Sequence, residues 1–157
     1  MEKTVLKLQE FYALETELLG LKNNQTNEVI SKGLLSEKIK LTTKYWLNDL
    51  SKKIITEKEE LDKLRTELIT KHGTPDKEGN LTIPFYINEV VDEETNEVVS
   101  REINPSFQSF QKEFNDLLNE EREIEHYAFK LEDFDNVESE GVYSTFFKLI
   151  KVSEENA

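Results

Sequence analysis

Along the first half of the chain, apolar residues recur at steps of three and four. From Glu2 to Leu21 these are Val5, Leu8, Phe11, Tyr12, Leu14, Leu18, Leu19 and Leu21, a spacing that predicts an amphipathic helix. The polar run from Lys22 to Asn27 predicts a turn, because its short side chains compete for backbone hydrogen bonds. Val29, Ile30, Leu34 and Leu35 predict a short helical segment with Gly33 as its weak point. A second, long helix is expected from Lys40 to His72, carried by Trp46, Leu47, Leu50, Ile54, Leu61, Leu64 and Leu68 and interrupted at Glu57. Gly73 is expected to supply a left-handed residue after it, Pro75 forbids continuation, and Lys71 suits the negative end of the helix dipole. At about 1.5 Å per residue such a helix is roughly 50 Å long, more than a compact domain of this size needs.

The period then changes to two. Leu81, Ile83, Phe85, Ile87, Val90 and Val91 precede the acidic turn Asp92 to Asn96, and Val98, Val99 and Ile103 follow it, which predicts a β-hairpin. Pro84 places its strand at an edge. Asn104 and Pro105 form a helix start, and Phe107, Phe110, Phe114, Leu117 and Leu118 trace the stripe of a third helix ending near Glu121. Tyr127, Phe129 and Leu131 predict a strand from Ile124 to Leu131 that pairs with the hairpin. An acidic loop, Glu132 to Gly141, leads to a short terminal helix (Val142, Phe146, Phe147, Leu149, Ile150) covering the sheet, and Ser153 to Ala157 is expected to fray. The expected class is α+β, mainly α. It comprises a long antiparallel helical hairpin (1–73), then a small antiparallel sheet of about three strands with two further helices (74–152), in a single domain.

Composition sharpens this picture. With 157 residues, one domain is the default. The hydrophobic share of 36% is low and the charged share of 34% high, but nine Phe, five Tyr and one Trp argue for an ordered chain. The absence of cysteine excludes disulfides, thiolate metal sites and a cysteine nucleophile. Charged residues interrupt the apolar positions near the N-terminus, and no apolar run reaches about 18 residues, so neither a signal peptide nor a membrane span is expected. The net charge of −13 is lopsided: residues 1–72 carry 13 basic against 12 acidic side chains, whereas residues 73–157 carry 7 against 21. Such a second half repels nucleic acid and anionic lipid and suits a basic partner or a solubility role.

Candidate chemistry is sparse. Asp76 to Asn80 has calcium-loop residue types, but Lys77 falls among the would-be ligands and no late glutamate or second helix follows, so a polar turn is the better reading. Glu123 and His126 have the spacing of one half of a helical di-iron site; the second pair is missing and the segment reads as a strand, which favours a surface pair. His72 is expected to act as a charge at a helix end. Glu120, Glu121, Glu123, Glu125, Glu132, Asp133 and Asp135 are expected to form a solvated face rather than an acid/base pair. No glycine-rich phosphate loop occurs. Two surfaces remain. One is the seam Trp46, Leu50, Ile54, Leu61, Leu64 and Leu68, which either binds another chain or packs within its own. The other is the acidic surface of Glu93, Glu94, Glu132, Asp133 and Asp135, which as a phosphate mimic lacks a rigid array.

Several residues also carry a resemblance. They are Tyr45, Glu60-Leu61, Leu64, Glu67-Leu68-Ile69, Lys71-His72-Gly73, Asp76 and Glu78-Gly79-Asn80, then Phe107, Phe110, Glu113-Phe114-Asn115, Leu117-Leu118, Glu120 and Lys130-Leu131-Glu132-Asp133-Phe134. In this order the chain after about residue 40 resembles a loose group of small tailed-bacteriophage proteins of unknown function. The Phe85 to Ile103 hairpin looks like an insertion relative to that group. The resemblance implies a viral origin, an α-hairpin followed by a small β unit, and no catalytic residue to carry over. The expectation is therefore a non-enzymatic interaction module, a small virion or virion-assembly component, without a cofactor. It would contact other virion proteins or itself, but neither nucleic acid nor membrane, in the cytoplasm of the infected cell or within the virion. The alternative is an inhibitor of a host defence protein, or a sequestering protein, acting through the acidic half. A cryptic metal-dependent enzyme would rest on the single Glu-x-x-His.

Overall fold

The computed structural model describes residues 1–138 and 143–150. In chain order the elements are β1 (Glu2–Lys7), α1 (Leu8–Leu19), β2 (Gly20–Lys22), β3 (Val29–Lys32), α2 (Leu41–His72), β4 (Thr74–Pro75), β5 (Leu81–Thr82), β6 (Tyr86–Val91), β7 (Val98–Ile103), α3 (Pro105–Leu118) and β8 (Glu121–His126). Short 3-10 turns lie at Leu34–Ser36, Leu131–Phe134 and Phe146–Leu149. At 47% helix and 25% strand the chain is mixed, with helix dominant, and its strands form several small antiparallel ladders.

The chain forms two compact units. The first combines the residues up to Glu60 with those from Asn119 onward, and the second runs from Leu61 to Leu118. Helix α2 contributes to both units, its residues up to Glu60 to the first and those from Leu61 to the second.

The first unit holds the hydrophobic core. Leu6 of β1, Phe11, Leu14 and Leu18 of α1, Leu47, Leu50 and Ile54 of α2, Ile124 of β8, and Phe129, Phe146 and Leu149 beyond it are buried together. Each such side chain stabilises the fold by about 1.5–3 kcal/mol relative to exposure. A ladder of β1 and β8 closes one side, with Leu6 opposite Arg122 and Thr4 opposite Ile124. Buried carboxylates tie the C-terminal residues to this core. Glu17 accepts hydrogen bonds from the backbone N–H of Thr145 at 2.9 Å and of Phe146 at 3.2 Å. Glu37 accepts from the Tyr143 hydroxyl at 3.1 Å and pairs with Lys32 at 3.5 Å.

Several expectations are corrected here. The first helix does not begin at Glu2: Glu2–Lys7 is a strand, because Val5 and Leu8 mimic a helical step while the true period is two and only Leu6 is buried. Helix α1 therefore has 12 residues against 32 in α2, so the pair is not a hairpin of two long helices. Val29–Lys32 is a strand rather than a helical segment, and it pairs with β2. Gly33 is no weak point there; a Cβ on it would lie 2.4 Å from the Gly20 backbone N, and Gly20 has φ +84°, so both positions need glycine for close approach.

Helix α2 stops as expected, but Gly73 is not left-handed. It is required because a Cβ would come within 2.4 Å of the Ile69 carbonyl oxygen, to which the Gly73 N–H donates. The expected three-stranded sheet does not form among the described residues, where every ladder has two strands. Leu81–Thr82 folds back on Thr74–Pro75, and only Tyr86–Val91 pairs with Val98–Ile103. Strand β8 ends at His126 and pairs with β1 instead of the hairpin. The terminal segment contains a 3-10 turn at Phe146–Leu149 in place of an α-helix. Ser139, Glu140, Gly141 and Val142 of the acidic loop and terminal segment, and the tail expected to fray, lie outside the described residues.

The core reading makes a stability prediction. Ile54→Ala removes a fully buried side chain and should cost about 2–5 kcal/mol, measured as a lower urea midpoint with an unchanged slope. A loss within the surface range of about ±0.5 kcal/mol would show that Ile54 is not enclosed.

Candidate interaction surface

In the second unit the apolar pattern is not matched by burial. The stripe of α3 is strongly amphipathic, yet none of Phe107, Phe110, Phe114, Leu117 and Leu118 is fully buried. Among the described residues of this unit, Leu61 is the one large hydrophobic that is fully buried. Leu64, Leu81, Phe85, Tyr86, Val90, Val91, Val98, Val99 and Ile103 are exposed, Leu64 to 40% and Val99 to 66%.

Two polar devices hold this arrangement in place. Asn104 joins the β6–β7 ribbon to α3: its N–H donates to the Phe85 carbonyl at 2.9 Å, its Nδ2 donates to the Pro84 carbonyl at 2.9 Å, and its Oδ1 caps the helix by accepting from the Ser106 N–H at 3.0 Å. Aromatic rings extend from that junction, with Phe85 edge-on to Phe107 at 4.9 Å and Phe110 stacked on Phe114 at 5.9 Å. At the far end of α2, Glu113 of α3 bridges Lys71 at 2.8 Å and His72 at 2.9 Å. Those two hydrogen bonds, Lys71 first, hold the Glu113 carboxyl below the ordinary glutamate value. His72 therefore does more than sit at a helix end, because it joins α2 to α3. Between the two helices lies a groove of about 380 Å³ lined by Leu64, Glu67, Leu68, Lys71, Glu113 and Leu117.

The sequence-predicted seam is split by burial. Leu50, Ile54 and Leu61 are buried within the chain and out of reach of a partner; the helical period could not separate an inward stripe from an outward one. Trp46 is half-buried and stacked on Tyr127 at 5.1 Å, with the two rings nearly parallel. Leu64 and Leu68 alone reach the groove. Of the acidic set, Glu93 and Glu94 are exposed in the ribbon turn, where Asp92 accepts the Glu94 N–H at 2.8 Å. Glu132 and Asp135 are exposed in the first unit, and Asp133 caps its own turn by accepting the Lys130 N–H at 3.1 Å.

No family model, no curated protein and no solved structure matches the chain. Site geometry thus has to carry the functional argument. Glu123 and His126 lie on opposite faces of β8: Glu123 is exposed beside Lys3, while His126 is 1% exposed, its Nε2 2.7 Å from the Thr4 hydroxyl and its Nδ1 2.8 Å from the Tyr127 carbonyl. The expected surface pair is therefore corrected, since the ring is a core group whose Nδ1–H donates to a carbonyl and whose Nε2 is hydrogen-bonded to the Thr4 hydroxyl. In the Asp76 turn the carboxylate accepts the Glu78 and Asn80 N–H groups, the work of a polar turn. Among the described residues, no group of three or more His, Cys, Asp and Glu is placed to hold a metal ion, and no helix is long and apolar enough to cross a membrane.

What sequence reasoning missed is the aromatic string from Phe85 into α3 and the Glu113 bridge. A signal existed in Phe107, Phe110 and Phe114, whose spacing is as regular as that of α2.

The bridge sets a pH dependence. Because its pKa is lowered on folding, Glu113 contributes stability above the ordinary value of 4.5, and that contribution is lost as the pH falls through the folded value. Glu113→Gln should lower the urea midpoint at neutral pH by a small amount, and the gap from the unaltered protein should close as the pH falls through the folded value of the Glu113 carboxyl. A gap that is the same at neutral pH and below that value would separate the carboxylate charge from the effect.

Proposed function

We propose that this chain is a phage-encoded, non-enzymatic protein-interaction module, a small virion or virion-assembly component acting in the cytoplasm of the infected cell and in the particle. The observation that carries the interaction reading is the incomplete burial of the second unit, where an amphipathic helix and a ribbon keep large apolar side chains in water. Apolar surface of this kind, rimmed by charge, is characteristic of protein contacts. The groove formed by Leu64, Leu68 and Leu117 suits an apolar side chain from a partner, with Glu67, Lys71 and Glu113 at its border. The phage origin is supported by the sequence resemblance alone.

The second reading, an inhibitor or sequestering protein working through acid groups, draws on the exposure of Glu93, Glu94, Glu132 and Asp135. The two differ in which substitutions matter. In a phage carrying this reading frame, Leu64→Asp with Leu117→Asp should reduce the copy number of the chain in purified virions by tenfold or more, read by quantitative mass spectrometry, while circular dichroism of the isolated chain stays unchanged. Absence of the unaltered chain from virions, with function lost only on neutralising the acidic groups, would replace the virion reading by the inhibitor reading.

A further inference from the structure

The β6–β7 ribbon carries a more specific assignment, which rests on the interaction reading above. A two-stranded ribbon is at best marginally stable alone, and each strand leaves one edge of N–H and C=O groups unpaired by a ladder. The two edges of this ribbon differ. Strand β6 follows Pro84 and is broken by Asn88, which has φ +53° and accompanies a register shift between Ile87 and Val90. Such irregularities blunt an edge against further pairing. Strand β7 has one irregularity, the register shift between Val90 and Val91 that leaves Val99 as an extra residue between Val98 and Ser100, but it has no proline and no left-handed residue and is regular over Ser100–Ile103; among the described residues β6 is its one strand neighbour.

Across the bulge Val98, Arg101 and Ile103 share one face and Ser100 and Glu102 the other, because the partners of Val98 and Ser100, Val91 and Val90, are adjacent in β6 and point to opposite sides. On the first face the Arg101 guanidinium lies 3.8 Å from the Tyr86 ring centroid, which leaves Val98 and Ile103 as flanking apolar contacts. Val98 and Ile103 are exposed, so that face is apolar, while the other carries Ser100 and Glu102 beside the edge.

Charge selects the occupant. Over residues 86–103 the ribbon has six carboxylates, Glu89, Asp92, Glu93, Glu94, Glu97 and Glu102, against the single Arg101. Adjacent strands lie about 4.8 Å apart, inside the Debye length of about 8 Å at physiological salt, so a second copy would bring like charge against like. We infer that the β7 edge receives an extended segment of a partner protein in which basic residues alternate with apolar ones, adding a third strand to the ribbon. Main-chain hydrogen bonds hold the segment, its apolar side chains meet Val98 and Ile103, and its basic side chains meet the carboxylates.

The probe is a capped heptapeptide of alternating lysine and valine, offered to the full chain. Binding by fluorescence anisotropy should be at least tenfold tighter than for the same peptide with a central proline, which keeps the charge but cannot complete a ladder. It should also be at least tenfold tighter than for the glutamate–valine counterpart. Hydrogen exchange should slow at Val98–Ile103 when the lysine–valine peptide is present, and Glu93→Lys with Glu94→Lys should weaken binding. Equal binding of the proline peptide reduces the contact to diffuse charge attraction and overturns the assignment, as does protection confined to other segments. Concentration-dependent dimerisation with protection of β7 in the absence of peptide assigns the edge to a second copy and overturns it too. Leu64→Asp with Leu117→Asp leaves β7 untouched. Loss from virions in that variant, without peptide binding to the unaltered chain, would sink the β7 assignment alone; peptide binding without virion incorporation would sink the virion reading alone.

Discussion

The burial of one stripe of α2, Leu47, Leu50 and Ile54, is the constraint on which the first unit depends. These three residues meet α1 residues and the aromatic groups beyond β8 in a single core, so strand, helix and C-terminal turn are all held by the same apolar surface. The polar groups that enter this core arrive already paired. His126 is bonded at both nitrogens, Glu17 accepts two backbone donors, and Glu37 has both a tyrosine and a lysine. Such pairing is what permits charged and polar side chains to be buried at all.

Past Glu60 the same helix meets a different situation. Its period of apolar residues continues through Leu61, Leu64 and Leu68, but burial falls away after Leu61. The second unit is held by a cap, a string of aromatic rings and one carboxylate bridging a lysine and a histidine, rather than by an enclosed core. The contrast between the units matters more to function than any single residue. The first encloses a core while Val29, Ile30, Leu41 and Phe147 stay exposed, whereas among the described large apolar residues of the second only Leu61 is fully buried.

How much of this was legible in the sequence depended on whether the signal was local. Helices α2 and α3 were readable from period and end signals, since Pro75 and the Asn104-Pro105 pair act within a few residues. The acidic turn and the Asp76 turn were readable for the same reason. Strand β1 was not, because its partner lies more than a hundred residues away and Val5, Leu8 and Phe11 accidentally continue a helical step. Gly33 was misread because its neighbour Gly20 is distant in sequence and meets it only across the β2–β3 ladder. Of the candidate seam, identity was legible and direction was not: Leu50 and Leu64 are alike in pattern, yet one is enclosed and the other is 40% exposed. The aromatic string was visible as letters, but the incomplete burial that gives it interest required coordinates.

The pairing of β1 with β8 also bears on the order of events during synthesis. Domains tend to fold as they emerge from the ribosome, beginning with what is made first. Here the earliest strand has to wait for a partner that is translated long after it, and Glu17 waits longer still for Thr145 and Phe146. Through that interval Leu6, Leu14, Leu47 and Ile54 lack their final cover.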